Sequence, residues 1–205
     1  MPKEIEARFL DIEPIKYRKI LSANGCKLVH KKTLFRRAAF YLCNPSIKGF
    51  CRVRDEGNGV TLTSKTYKDG SLYAEESEVK ITGDYESGIE FFKSLGLVQK
   101  AYQESYREKW SHPLAKEITI DILPGLPPYT EIETDTEAKL AQITKLLNLD
   151  PSKMRFGSFG EAYNEYYGIE LDVINNKTPS LTFANITKEI KPKKNKKLLL
   201  KIAQS

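Results

Sequence analysis

The sequence predicts an α+β protein: an eight-stranded antiparallel β-barrel, closed on itself, with a polar lumen and helices packed outside. Three observations predict it. About eight segments alternate charged and apolar residues with period two, the signature of strands. Turn formers separate most of those in the first half, at Asn44-Pro45, Gly57-Asn58-Gly59 and Asp69-Gly70, as antiparallel hairpins require. The helical stretches are segregated rather than alternating with every strand, which disfavours a parallel α/β sheet.

The elements follow in order. EIEARF (4–9) sets Glu4, Glu6 and Arg8 on one strand face and Ile5, Ala7 and Phe9 on the other. IEPIKYRKILSANG reads as a helix: Pro14 suits the first turn, Tyr17, Ile20 and Leu21 share a face, and Gly25 stops it. Strands follow at 27–42, 49–55, 59–67 and 72–81. A second helix starts after Asp84 as N-cap, sets Ile89, Phe92 and Leu95 on one face, and ends at Gly96. Segments 98–110, 116–123 and 129–133 are the last strands, the final two separated by the rigid loop PGLPP. Thr134 with Glu137 forms a capping box for the helix TEAKLAQITKLLNL. GEAYNEYYG (160–168) is a short aromatic helix whose Tyr163, Tyr166 and Tyr167 either pack, plug a tunnel mouth or stack on a base. Residues 1–174 form one domain; 175–205 read as a polar linker and a lysine-rich C-terminal tail, a solvated, disordered end.

Composition narrows the class. Hydrophobic residues are 40% and charged residues 29% of the 205, enough apolar content for a core. There is no apolar run of the roughly 20 residues that a membrane span needs, and MPKEIEARF lacks a secretory h-region. A cytoplasmic protein without membrane contact is expected. Cys26, Cys43 and Cys51 are odd in number and lack CxxC spacing, so they read as reduced thiols. His30 and His112 are distant from one another, which argues against a histidine metal site or a Ser-His-Asp triad; they and Trp110 read as structural. Residues 188–201 hold seven lysines against one glutamate and so account for the whole net charge of +6. The body is balanced, and its charge pattern matters more than its sum.

That pattern is unusual. A half-exposed sheet also alternates charged and apolar positions, but a solvated face normally mixes signs, because like neighbours repel. Here like pairs recur two residues apart: Glu4/Glu6, Arg52/Arg54, Glu76/Glu78 and Glu131/Glu133. Lys65 follows Thr61 and Thr63 on its strand face, Asp121 follows Glu117 and Thr119, and Arg107 shares a face with Lys109. With amphipathic helices covering the apolar faces, these polar faces line an interior. Buried charges need partners. Paired carboxylates suit Mg²⁺ or Mn²⁺, which take oxygen ligands, and arginine and lysine suit phosphate oxygens. A metal-bound polyphosphate satisfies both sets.

In this order the motifs resemble the CYTH superfamily, the triphosphate tunnel metalloenzymes. EIEARF resembles its ExExK opening, CRVRDEG its paired basic strand, LTSK its LTxK strand, EESEV its ExE strand, and ITIDILPGLPPYTEIE its closing Asp-bearing and EIE strands. FGSFGEAYNEYYG is similar to the ending of members described as class IV adenylate cyclases, and the likeness covers roughly residues 1–170. Two positions depart from the pattern: Arg8 stands where lysine is usual, and Ser105 replaces the first base of a Lys-x-Arg pair, with Lys109 nearby.

The resemblance implies a tunnel in which Glu4, Glu6, Glu131 and Glu133, with Glu76 and Glu78, hold Mg²⁺ or Mn²⁺. Glu4, Glu6 and Asp121 would be catalytic, and Arg8, Arg52, Arg54, Lys65, Arg107 and Lys109 would clamp the phosphates. The expected activity is metal-dependent hydrolysis of inorganic triphosphate, thiamine triphosphate or a nucleoside triphosphate. The alternative is a class IV adenylate cyclase releasing cyclic AMP and pyrophosphate. A third reading is an RNA- or polyanion-binding module, or an RNA 5′-triphosphatase, that uses the lysine tail. The expected partner is a small-molecule triphosphate.

Overall fold

The computed structural model describes residues 5–204. In chain order these form β1 (Ile5–Phe9), α1 (Pro14–Ala23), β2 (Lys27–Phe40), β3 (Gly49–Asp55), β4 (Val60–Thr66), β5 (Glu75–Ile81), α2 (Tyr85–Ser94), β6 (Gln99–His112), β7 (Ala115–Ile122), β8 (Thr130–Thr134), α3 (Glu137–Leu146), α4 (Gly160–Tyr167), α5 (Leu171–Asn176), β9 (Ser180–Leu181), α6 (Ile186–Glu189) and α7 (Lys196–Ala203). No helix among the described residues is long and apolar enough to cross a membrane.

The sheet runs β1-β8-β7-β6-β2-β3-β4-β5, antiparallel throughout, with β9 added in parallel to β6. It matches the expected eight antiparallel strands with helices outside. It differs from the expected closed barrel in one detail: among the described residues no backbone ladder joins β5 to β1. The right-handed twist of the strands still curls the sheet, and the gap is bridged by side chains. Lys65 Nζ on β4 reaches Glu6 Oε1 on β1 at 3.4 Å.

The apolar strand faces point outward, under the helices. Ile118, Ile132 and Trp110 pack with Tyr17 and Leu21 of α1 and Leu140 and Ile143 of α3. Val53, Ala38 and Phe40 pack with Tyr85 and Phe92 of α2. The α2 contact is close: a Cβ on Gly88 would stand 2.7 Å from Val53 Cγ1, so glycine is needed there for the helix to sit down on the sheet. Local capping works as read at Asp84, whose Oδ1 accepts from Ser87 N at 2.8 Å. For α3 the cap is Thr136, accepting from Lys139 N at 3.1 Å. The predicted cap, Thr134, instead ends β8 and donates its hydroxyl to Thr136 O.

Beyond residue 174 the structure differs from the expected solvated end. Leu181, Ile186, Ile190 and Leu199 are buried in a cluster with Leu123, Leu126, Tyr163 and Tyr167. Gly125, at φ +74, is pressed so closely by this segment that a Cβ would lie 2.6 Å from Leu199 Cδ1. The lysines stay outside while their interspersed apolar neighbours anchor the chain. Tyr163 and Tyr167 are packing residues: both are fully buried, and their hydroxyls donate to Pro124 O at 2.7 Å and to Gly125 O. Leu199→Ala is therefore expected to destabilise the whole protein by about 2–5 kcal/mol. Urea unfolding checks this, and an unchanged midpoint would mean that α7 is not part of the fold.

Candidate active site

The inner face of the curled sheet encloses a cavity of about 1040 Å³. Period-two alternation puts every second residue of each strand into it. β3 contributes Arg52 and Arg54, β2 contributes Arg37, β4 Lys65, and β6 Arg107 and Lys109; β1 contributes Glu6 and Arg8, β8 Glu131 and Glu133, β7 Glu117, and β5 Glu76 and Glu78. Sheet order sorts these by sign. The cations stand mainly on the contiguous block β6-β2-β3-β4. The acids stand on β1-β8-β7 and on β5, which the curl brings to the other side of the gap from β1. The cavity thus has a basic wall and an acidic wall.

The two walls are stitched by ion pairs. Arg107 donates through Nε to Asp121 Oδ1 at 2.6 Å and through Nη2 to Glu131 Oε2 at 2.7 Å. Arg8 forks onto Glu131 through Nε at 2.9 Å and through Nη2, gives Nη1 to Ser158 O at 3.1 Å, and lies over the Tyr129 ring. Arg52 bridges Glu76 at 3.3 Å and Glu78 at 3.2 Å, and Lys65 bridges Glu6 and Glu76 at 3.4 and 3.3 Å. Lys109 reaches Glu56 and Glu117 at 2.9 and 3.1 Å, and Arg54 pairs with Glu56.

These contacts set the protonation equilibria. Burial pushes the Glu131 carboxyl up, but the guanidinium groups of Arg8 and Arg107 outweigh it and hold it far below the usual carboxylate range. Burial likewise opposes ionisation of Glu56, and Arg54 and Lys109 hold it down at about 2. Glu6 goes the other way: burial raises its pKa, Lys65 counters only in part, and Glu131 adds repulsion. Glu133 is also raised, by burial first, against Lys116 and with Glu117 and Glu76 repelling it. The register explains the last two. Glu6 stands opposite Glu133 across β1 and β8, and Glu133 stands opposite Glu117 across β8 and β7. Like charges in directly facing positions destabilise a sheet, unless a cation lies between them.

Of the predicted site residues, Glu4 lies outside the described residues. Glu6, Arg8, Arg52, Arg54, Lys65, Glu76, Glu78, Arg107, Lys109, Glu131 and Glu133 all come together at the cavity. Asp121 does not: it is fully buried, holds the Arg107 fork and accepts from Thr119 Oγ1 at 2.5 Å. It shares the inward strand face with Glu117 but lies beneath Arg107, and so does not line the cavity. Arg37 was not predicted. Its Nη2 donates to Ser105 Oγ at 3.0 Å, its buried Nε has no hydrogen-bond partner, and no acid pairs with it among the described residues. Burial, then Arg52, Arg107 and Arg54, lower its pKa to about 10. The Arg36-Arg37 doublet was the available signal, since alternation sends one arginine to each face. Arg36 is the outward one, bound to Asp55 at 2.7 Å.

The donor chemistry fits a hard divalent cation, because the repelling groups are carboxylates and oxygen is the ligand such ions take. Among the described residues no three acidic, cysteine or histidine side chains are grouped closely enough to hold a metal alone. An ion coordinated by one or two carboxylates completes its shell with phosphate oxygens and water, which is the usual arrangement for Mg²⁺.

Fold and site together define a tunnel-type β-domain with a charge-lined interior. More particularly, residues 2–155 match the family model described as the CYTH domain, and the chain belongs to that family. Solved structures share the fold. A protein from Pyrococcus horikoshii OT3 superposes with a TM-score of 0.64 at 20% identity, covering 78% of this chain and 98% of its own. A candidate adenylate cyclase from Vibrio parahaemolyticus gives 0.63 at 13% identity, covering 80% and 98%. A candidate adenylyl cyclase from Hippeastrum, described as having a dominant triphosphatase activity, gives 0.54 at 16% identity, covering 84% and 99%. Comparison with curated proteins finds no significant match.

Proposed function

We propose that the chain is a divalent-metal-dependent enzyme that hydrolyses a triphosphate. The observation carrying this is the division of one cavity into a basic and an acidic wall. A polyphosphate chain lies against the basic wall, where Arg37, Arg52 and Arg54 offer forked donors to its oxygens. Glu6 and Glu133 would hold the cation on the acidic wall, with Glu131 kept ionised by Arg8 and Arg107. When bound, Mg²⁺ or Mn²⁺ supplies Lewis acidity toward the phosphoryl oxygens. Arg107, fixed by Asp121 and Glu131, stabilises charge as it develops on the transferred phosphoryl group without having to reorganise. A carboxylate of the acidic wall orients the attacking group and accepts its proton.

Hydrolysis ranks first because water needs no positioning of a nucleoside, and the Hippeastrum protein of the same fold is described with triphosphatase activity. Cyclisation of ATP is the second reading, favoured by a cavity larger than a bare triphosphate requires. Incubation with inorganic, thiamine and nucleoside triphosphates in Mg²⁺ or Mn²⁺ separates them: orthophosphate release marks hydrolysis, and cyclic AMP with pyrophosphate marks cyclisation. Absence of either product removes the proposal.

Arg37 gives a separate prediction. In the free protein its Nε is buried without a hydrogen-bond partner and no carboxylate among the described residues pairs with the guanidinium, so Arg37→Met should raise the melting temperature of the ligand-free protein. The same change should weaken triphosphate binding about 10- to 100-fold, the worth of a charge-assisted hydrogen bond. Calorimetry and thermal unfolding of one sample test both signs together.

A further inference from the structure

The chain carries a second concentration of charge, away from the cavity and beyond residue 155, where the family match stops. Residues 188–201 hold Lys188, Lys191, Lys193, Lys194, Lys196, Lys197 and Lys201 against one acid, Glu189. All seven lysines are exposed, and none lines the cavity. Because the rest of the chain is balanced, this short segment holds the whole net charge of +6. It is also folded, which fixes where the charges stand. The backbone N–H groups of Lys193 and Lys194 donate to Tyr167 O at 2.8 and 3.3 Å, and Asn195 Nδ2 donates to Tyr166 O at 2.8 Å. They give the last carbonyls of α4 the donors that a helix end lacks. On either side of this turn Ile190 and Leu199 are buried with Tyr163 and Tyr167.

Few of these charges are compensated. Lys193 pairs with Glu170 at 2.8 Å, and Lys194 is within electrostatic reach of Glu165. Lys188, Lys191, Lys196, Lys197 and Lys201 form no ion pair among the described residues. Their placement works against the local structure. Lys197 and Lys201 are like charges four residues apart on α7, which disfavours a helix. Lys196 and Lys197 stand in its first turn, which contains no acid and where the helix dipole disfavours cations. The fold gains no ion pair in return.

A partner that meets these lysines meets charge and little else. The apolar side of α7 is already docked: Leu199 is buried, Leu198, Ile202 and Ala203 are half-buried, and of its apolar side chains Leu200 is left exposed. A helix that enters a lipid surface needs a free apolar face. Residues 184–205 contain no aromatic side chain to stack on an unpaired base and no arginine to fork onto a base edge. What remains is contact between ammonium groups and a regular row of phosphates, the sequence-independent part of nucleic-acid binding. We infer that the lysine face of residues 188–201 is a docking surface for double-stranded nucleic acid, held through its phosphate backbone without regard to base sequence.

Fluorescence anisotropy of a labelled DNA duplex of about 20 base pairs, titrated with the full chain between about 50 and 200 mM KCl, tests this. With Lys188, Lys191, Lys196, Lys197 and Lys201 on phosphates, log K should fall against log salt with a slope of about −4 to −5, at roughly 0.9 per phosphate neutralised. The triple variant Lys196→Gln/Lys197→Gln/Lys201→Gln should make that slope shallower by about 3 and weaken binding at about 100 mM KCl at least tenfold. It should melt no lower than wild type, because the three side chains are exposed and their mutual repulsion is gone. The same three positions changed to arginine should bind as wild type does. Lys27→Gln/Lys31→Gln/Lys32→Gln removes equal charge from exposed positions on β2 and should leave binding unchanged. Equal weakening in both glutamine variants would mark a general effect of net charge and overturn the inference. Absence of duplex binding, tighter binding to phosphatidylserine vesicles than to the duplex, or loss of binding in the arginine variant would each overturn it as well.

Discussion

Replacing Arg107 with methionine is expected to reduce triphosphate turnover by at least about 10³-fold, in the range found when a preorganised donor to the transition state is lost. It should also destabilise the protein by about 3–5 kcal/mol, because one partner of a buried ion network is removed and the others remain. Asp121 keeps only 1% of its side chain exposed and depends on that guanidinium. Even with Arg107 present, burial raises the Asp121 pKa above its ordinary value, Arg107 lowering it and Glu131 raising it further. A carboxyl whose folded pKa is raised favours folding when it is protonated, and that contribution is lost as pH rises through the folded pKa. Without Arg107 the folded pKa climbs again, so the loss extends to higher pH. The variant should therefore recover stability relative to wild type as pH is lowered from 8 to 5. Thermal unfolding across that interval reads the effect, and parallel curves for the two proteins would show that Asp121 does not depend on Arg107. Arg107→Lys should restore part of the stability and little of the turnover, because a point charge cannot span Asp121 and Glu131 as the planar fork does.

The strand faces were legible from the sequence because period two is written directly into residues such as Arg52-Val53-Arg54 and Glu131-Ile132-Glu133. The direction of the faces followed from like-charge pairs that a solvated sheet would avoid. Register and curl were not legible, and they decide which charged residue meets which. Asp121 alternates correctly with Ile120 and Ile122, yet its short side chain stays fully buried beneath Arg107, while longer glutamates reach the cavity. Ser105 left a basic position empty in the sequence pattern. The space is filled from β2 by Arg37, whose guanidinium donates to that same serine, a substitution across strands that no spacing within one strand reveals. Arg8 in place of the usual lysine is explained by its fork on Glu131 together with its reach to Ser158 O, three donors that a lysine could not direct so. The segment after residue 174 looked unstructured because its anchors are few: Leu181, Ile186 and Ile190 are spread among polar residues, and Leu199 stands in a three-leucine run bounded by lysines. Ile190 lies just past α6 and the others lie on elements of two to eight residues, too short to display a period.

Glu6→Gln carries the opposite sign in the free protein and the same loss in the working one. Glu6 is a half-buried carboxyl whose pKa is raised by desolvation, only partly relieved by Lys65 and worsened by Glu131. Its ionised form is therefore disfavoured by the fold: the contribution of Glu6 to stability is present below its unfolded pKa and disappears as pH rises through the folded one. A neutral isostere removes that penalty, so the metal-free variant should melt higher than wild type at pH 7–8, with the difference shrinking as pH approaches 4. Turnover should fall at least about 10²-fold, and the gain in melting temperature that Mg²⁺ and a triphosphate confer on wild type by binding only the folded state should shrink. The Glu6–Glu133–Glu117 rank makes this combination specific. A carboxylate kept for structure would lose stability on neutralisation, and a solvated one would show neither effect. Only an acid held ready for a cation exchanges apo stability for ligand response. If Glu6→Gln melts lower than wild type without metal and still turns over the substrate, the acidic wall is a structural ion network and the cation site lies elsewhere.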